Sequence, residues 1–70
     1  MMDVGKRIRE LREEQRLRQE DLAQRAGVAR NTVSRIERDD LVPTVVMIEK
    51  LANGLGVGPE VLLRDPLGVG

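Results

Sequence analysis

Between Gln19 and Arg38, four residues stand at intervals that few chain paths accommodate: Ala23, Gly27, Val33 and Ile36. Ala23 sits where two crossing helices must approach closely, which only a small side chain allows. Gly27, four residues on, stands where the chain must leave the first helix, and glycine enters the left-handed conformation at little steric cost. Val33 and Ile36, three apart, then fall on one side of a following helix. The segment predicts a helix over residues 19–26, a tight turn, and a second helix over residues 30–38.

Placed on a wheel at about 100° per residue, the second helix divides cleanly. Ala29, Thr32, Val33 and Ile36 cluster on one side, and Arg30, Asn31, Ser34, Arg35 and Arg38 lie opposite. The first set can pack. The second is long, polar and cationic. Arginine suits bidentate contact with guanine and asparagine with adenine, in a groove wide enough to admit a helix. Arg30, Asn31, Ser34 and Arg35 are therefore the candidate base-reading residues, and Arg38 the candidate phosphate contact. A merely solvated helix face is the plain alternative, and the Ala23/Gly27/Val33/Ile36 spacing weighs against it. Gln19 opens the preceding helix, where free backbone N–H groups and a positive helix end would meet a phosphate. Arg18 stands beside it as a further backbone contact, with Arg7 and Arg16 more plainly solvated.

Seventy residues make one domain, over residues 1–70. So short a chain buries only about 60% of its unfolded surface. Phe, Tyr and Trp are absent, so the core must be aliphatic: Val4, Ile8, Leu11, Leu17, Leu22, Ala26, Val28, Val33, Ile36, Ile48, Leu51, Leu55 and Val61 are the expected members. Cysteine and histidine are absent too, which removes disulfides, thiolate sites and the commonest general base and metal ligand. No apolar run reaches membrane-span length and no signal peptide is visible, so a cytoplasmic, nucleoid-associated place is expected, with no membrane partner, cofactor or small-molecule ligand.

The net charge is zero, but it is unevenly spread. Residues 6–38 hold ten Lys/Arg against six Asp/Glu, and residues 39–70 hold two against five. The basic half carries the two-helix segment, so the field is polarised toward the proposed face. Alone this would be weak, because small helical domains are often lopsided in charge.

Along the rest of the chain, a helix is expected over residues 4–16, with Asp3 as its N-cap and Val4, Ile8 and Leu11 on one face. After the loop at residues 39–43, Thr44 caps a helix reaching Leu55, which Gly56 and Gly58 break. Pro59 fits the first turn of a short helix over residues 59–64. Order is expected over residues 3–65, with a loose tail at 66–70. The predicted fold is all-α, a compact five-helix bundle presenting its second and third helices on one side.

The chain resembles the Cro/CI-type, or XRE, helix-turn-helix family over about residues 4–64. The resemblance is carried by Ile8-Arg9-Glu10-Leu11-Arg12, Leu17-Arg18-Gln19-Glu20-Asp21-Leu22-Ala23, Gly27-Val28, Val33-Ser34-Arg35-Ile36-Glu37, Pro43-Thr44, and Leu51-Ala52 with Leu55-Gly56-Val57. It implies that Gln19 grips a DNA backbone, and that Arg12 and Glu37 meet as a buried structural salt bridge. It also marks departures. Arg18 and Ala29 stand where the family caps helices with Ser or Thr, a loss of about 1 kcal/mol each, and Arg18 puts a cation at the unfavourable helix end. Asp39 replaces a usual glycine. Asp39-Asp40 sets two negative charges in a loop that the resemblance places near phosphates. Gly54 replaces a usual alanine within a helix, weakening it by up to about 1 kcal/mol.

Together these readings imply a non-enzymatic, sequence-specific binder of double-stranded DNA: a prokaryotic or phage transcriptional regulator on a palindromic operator. Repression by blocking polymerase is the simplest mechanism, with activation by touching polymerase the other. The alternative is a protein-interaction module, of antitoxin or adaptor type, on the same fold. A homodimer is expected on DNA, because one recognition helix reads few base pairs. Its surface is assigned to the C-terminal part, through Leu55, Val57, Val61, Leu62 and Leu67, more apolar side chains than two short helices need for themselves.

Overall fold

The computed structural model describes residues 3–63. Five helices follow in order: α1 (Val4–Glu14), α2 (Gln19–Ala26), α3 (Arg30–Glu37), α4 (Val45–Leu55) and α5 (Pro59–Leu63). No strand occurs among the described residues, and the architecture is the all-α bundle that the periodicity predicted. The expected tail, with Leu67 in it, lies outside the described residues.

Local chemistry sets the helix starts. The Asp3 carboxylate accepts the N–H of Lys6 at 3.1 Å, and the Thr44 hydroxyl accepts that of Met47 at 3.2 Å. Ala29 has no side-chain oxygen, and α3 begins without a side-chain cap. Arg18 does better than its type suggests. The Asp21 carboxylate, in the first turn of α2, accepts the Arg18 backbone N–H at 2.9 Å and the Arg18 guanidinium at 3.2 Å. The cation expected to oppose the helix dipole is thus paired with an acid on the favourable end.

Four helices end alike. The N–H groups of Leu17, Val28, Asp40 and Val57 donate to the carbonyls of Arg12, Ala23, Arg35 and Ala52, five residues back, at 2.8 to 3.0 Å. This closure needs a left-handed residue just before the donor. Gly27 and Gly56 supply it with φ of 72°, while Arg16 and Asp39 adopt φ of 58° and 60° as non-glycine residues. Arg16 therefore leaves the helix, and α1 stops at Glu14 rather than at the expected Arg16. By the same closure α3 stops one residue short of the expected Arg38.

α2 lies at the centre of the packing, against α3 on one side and α4 on the other, while α1 crosses α3 and α5 closes over α1 and α4. The core joins Ile8, Leu22, Ala23, Ala26, Val33, Ile36, Ile48, Leu51, Ala52, Leu55 and Leu62. Each fully buried Leu, Ile or Val contributes about 1.5–3 kcal/mol. Val4, Leu11, Leu17 and Val28, expected inside, pack against the core from its rim, half-buried.

Two of the residues assigned to a dimer surface are corrected by this packing. Leu55 is 3% exposed and Leu62 is 2% exposed, both within the protomer. Ile48, Leu51, Ala52 and Leu55 recur at helical spacing on the inward face of α4. Leu62 fills the space between α5 and its neighbours, so Val61, expected inside, is only half-buried. Val57 likewise packs, half-buried, against the core.

Two glycines allow backbones to touch. A Cβ at Gly5 would collide with the Ile36 carbonyl oxygen and crowd the Glu37 Cα, so α1 can lie on the end of α3 only with glycine there. A Cβ at Gly54 would stand 3.0 Å from the Ala26 backbone nitrogen and 3.1 Å from Leu22 Cδ1. Gly54 is thus a contact point of α4 with α2 as well as a weak helix former.

Candidate nucleic-acid interface

The Gly27 turn sets α3 against α2 so that Val33 and Ile36 point inward, 0% and 1% exposed. The other face of α3 must then look outward. Arg30, Asn31 and Arg38 are exposed, and Ser34 and Arg35 are half-exposed. Arg30, Asn31 and Ser34 line one shallow concavity. A second, adjoining through Arg30, is lined by Arg12, Arg18, Gln19, Glu20 and Arg30. The wheel of α3 and the first turn of α2, read separately in the sequence, thus share one continuous surface. Among the described residues, neither Arg30 nor Asn31 has a side-chain hydrogen bond or ion pair, so their donors face solvent.

Beneath this surface lies the pair that the family resemblance implied. Arg12 Nε donates to Glu37 Oε2 at 2.7 Å and Nη2 to Glu37 Oε1 at 2.9 Å, a fork-on-fork geometry. Arg12 Nη1 also donates to the Leu17 carbonyl at 2.8 Å, tying in the chain between α1 and α2. The side chains are 12% and 4% exposed. The hydrogen-bonded Glu37 carboxylate raises the Arg12 pKa above its ordinary value, against a desolvation that lowers it. Burial of this kind is tolerated because the charges are matched and hydrogen-bonded.

Gln19 is attached to the same pair. Its Nε2 donates to Glu37 Oε1 at 3.2 Å, which fixes the amide at the head of α2, with the side chain half-exposed. This link spans 18 residues of chain and had no signal in the sequence, where Gln19 and Glu37 belonged to separate arguments. A second unforeseen link joins Gln15 Nε2 to the Leu55 carbonyl at 2.7 Å, holding the end of α1 to the end of α4.

At the other end of α3 the arginines are engaged. Arg35 Nε lies 3.5 Å and Arg38 Nη2 3.9 Å from Asp40 Oδ2, and Arg35 Nη2 donates to the Asp40 carbonyl at 3.3 Å. The sequence showed Asp40 only as an unwelcome negative charge. No group of acidic side chains among the described residues could hold a metal ion, and no helix among them is long and apolar enough to cross a membrane.

Known proteins share this fold. Residues 8–62 match the helix-turn-helix family HTH_3. The immunity repressor of Bacillus phage phi105 is 37% identical over 91% of this chain and 49% of its own length, so the chain spans about half of that relative. The regulator SinR of Bacillus licheniformis is 35% identical over 89% of the chain and 57% of its own length. Among solved structures, the restriction-modification controller protein C.AhdI of Aeromonas hydrophila superposes with a TM-score of 0.83 at 39% identity, covering 87% of this chain and 92% of its own. The N-terminal DNA-binding domain of SinR from Bacillus subtilis does so with 0.84 at 34% identity, covering 90% and 93%. With nearly all of its bundle matched, the chain belongs to the helix-turn-helix family, in the Cro/CI or XRE type that its sequence resembles.

Proposed function

We propose that this chain binds double-stranded DNA sequence-specifically and acts as a transcriptional regulator. The observation that carries the reading is the continuous polar surface joining Arg30, Asn31 and Ser34 on α3 to Gln19 and Arg18 at the head of α2. In this reading α3 enters the major groove, where Arg30, Asn31, Ser34 and Arg35 meet base edges. Gln19, Arg18 and Arg38 contact phosphates, and Gln19 does so from an orientation set by Glu37. The α2 N-terminus adds its free backbone N–H groups. Occupying an operator would repress by excluding polymerase.

A homodimer completes the reading, since two-fold related recognition helices lie about 34–36 Å apart on one duplex face. The longest dimension of the described bundle is 31 Å, so two copies side by side can span that distance. With Leu55 and Leu62 consumed by the core, the C-terminal pairing surface is carried, among the described residues, by Val61 and by Leu63, which is 40% exposed.

Selection of bound duplexes from a random pool tests the function. A palindromic consensus is expected, with affinity falling as salt rises at a slope of about −0.9 per phosphate contacted. No enrichment, or affinity indifferent to salt, would overturn it. That result would favour a protein-interaction module, for which the exposed Val42, Val45 and Val46 are the supporting observation.

A further inference from the structure

The two aspartates after α3 are not equivalent. Asp39 adopts the left-handed conformation that ends the helix. It makes no side-chain ion pair among the described residues. Asp40 is placed by that turn: its backbone N–H donates to the Arg35 carbonyl at 2.8 Å. This brings its carboxylate back along α3, 3.5 Å from Arg35 Nε and 3.9 Å from Arg38 Nη2. The Arg35 guanidinium also returns a hydrogen bond to the Asp40 carbonyl at 3.3 Å. The Nε–Nη2 edge of Arg35 is one of the edges with which an arginine can fork onto a guanine or a phosphate. Here that edge faces Asp40.

We propose that Asp40 is an internal competitor for the arginines of α3: it holds Arg35 and Arg38 in the free protein, and DNA must displace it to engage them. The proposal rests on the DNA-binding reading above and adds a residue to it. Its chemistry is that of a carboxylate standing where a phosphate or a base edge would come. The clip is held in register by the helix end itself, so it is present before any encounter. All the charges involved are partly exposed, with 42% of the Arg35 side chain and 63% of those of Asp40 and Arg38 accessible. The hold is therefore light enough for a polyanion to break. Arg30 and Asn31, at the opposite end of α3, carry no such restraint and can make the first contact. The arrangement also accounts for two acidic residues beside a basic helix: one turns the chain and the other restrains its charge.

Neutralising any carboxylate near DNA raises affinity, so Asp39 serves as the control. It is adjacent to Asp40 and equal in charge, and asparagine tolerates its left-handed backbone. Affinities of the wild type, D39N, D40N, R35A and R35A/D40N are measured for a selected duplex and for a scrambled duplex of equal composition. D40N is expected to tighten binding by about three- to five-fold, the range of an exposed ion pair, and D39N by less than about two-fold. In the R35A background the gain from D40N is expected to shrink toward that of D39N, the remainder being the release of Arg38. Equal gains from D39N and D40N would reduce Asp40 to net charge and overturn the proposal. So would a D40N protein with a lowered melting temperature and unchanged affinity, which would make Asp40 a helix-end clip alone. If no variant binds either duplex, the DNA-binding reading itself fails and this proposal falls with it. Failure of the proposal alone is recognised by a wild type that binds and a D40N that gains no more than D39N.

Discussion

Arg12 shows how much one residue can hold at once. It touches Glu37 through two bonds and the Leu17 carbonyl through a third, so α1, the α1–α2 connection and α3 meet at one guanidinium. Removing either partner leaves the other charge buried and unmatched. Arg12→Ala or Glu37→Ala alone is expected to destabilise by about 3–5 kcal/mol in denaturant melts, while a paired apolar replacement costs much less. Near-zero loss in both single variants would mean that the charges are solvated. The reading residues act on a different quantity. Asn31→Ala is expected to cost about 1–3 kcal/mol on a selected site and to relax base preference at one position. Gln19→Ala should weaken selected and scrambled duplexes alike. A specificity ratio unchanged by Asn31→Ala would remove that residue from base reading.

At the scale of elements, the ends of the helices carry more of the design than their middles. α3 is the weakest-ended of the long helices: it starts on Ala29 with no side-chain cap and ends on Asp39 with φ of 60°. Ala29→Ser is expected to stabilise by about 1 kcal/mol through the missing cap, and Asp39→Gly by about 1 kcal/mol through relief of the left-handed backbone. The two should add, since they lie at opposite ends, and thermal melts of the double variant check it. α2 has the opposite character, with its start reinforced by Asp21. The Arg18 backbone N–H, and after it the Arg18 guanidinium, hold the Asp21 carboxyl below its usual value of 3.8. A carboxyl with a lower pKa in the folded than in the unfolded chain supports folding fully above the unfolded value. That support is lost as pH falls through the folded one. Asp21→Asn is therefore expected to be less stable at neutral pH and to lose less on acidification. Parallel acid titrations of the two proteins would contradict this.

For the whole molecule, the question is what a bundle of this size can still offer a second copy. Its aliphatic residues are largely spent on its own core, Leu55 and Leu62 included. Among the described residues, what remains outside includes Val61 and Leu63 on α5, and the separate strip of Val42, Val45 and Val46 after α3. A small surface of this kind predicts a dimer that is weak alone and completed on DNA, where the two copies share a duplex. Analytical ultracentrifugation with a palindromic duplex is expected to show two protomers per duplex at saturation. Val61→Glu with Leu63→Glu should lower cooperativity without unfolding the chain, because neither side chain is in the core. A single protomer at saturation, or cooperativity untouched by the double variant, would exclude pairing through this end.

Much of this protein is local, and what is local was legible in the sequence. The α2–turn–α3 path follows from Ala23, Gly27, Val33 and Ile36, because small size, a left-handed turn and a helical interval are properties of near neighbours. The outward face of α3 follows from the same periodicity, and so do the caps at Asp3 and Thr44. The Arg12–Glu37 pair was reached only through the family resemblance, since no rule of spacing joins residues 25 apart. Other features belong to the tertiary structure alone. Five residues of α5 make too few turns to set a phase, so packing against α1 and α4 decided that Leu62, and not Val61, goes inside. Gly5 reads as an ordinary first-turn residue until α3 is laid across it. The engagement of Gln19 by Glu37, and of Arg35 by Asp40, depends on where helix ends arrive in space. Periodicity tells which side of a helix is apolar or charged, but the partner that meets that side is set by how whole helices cross.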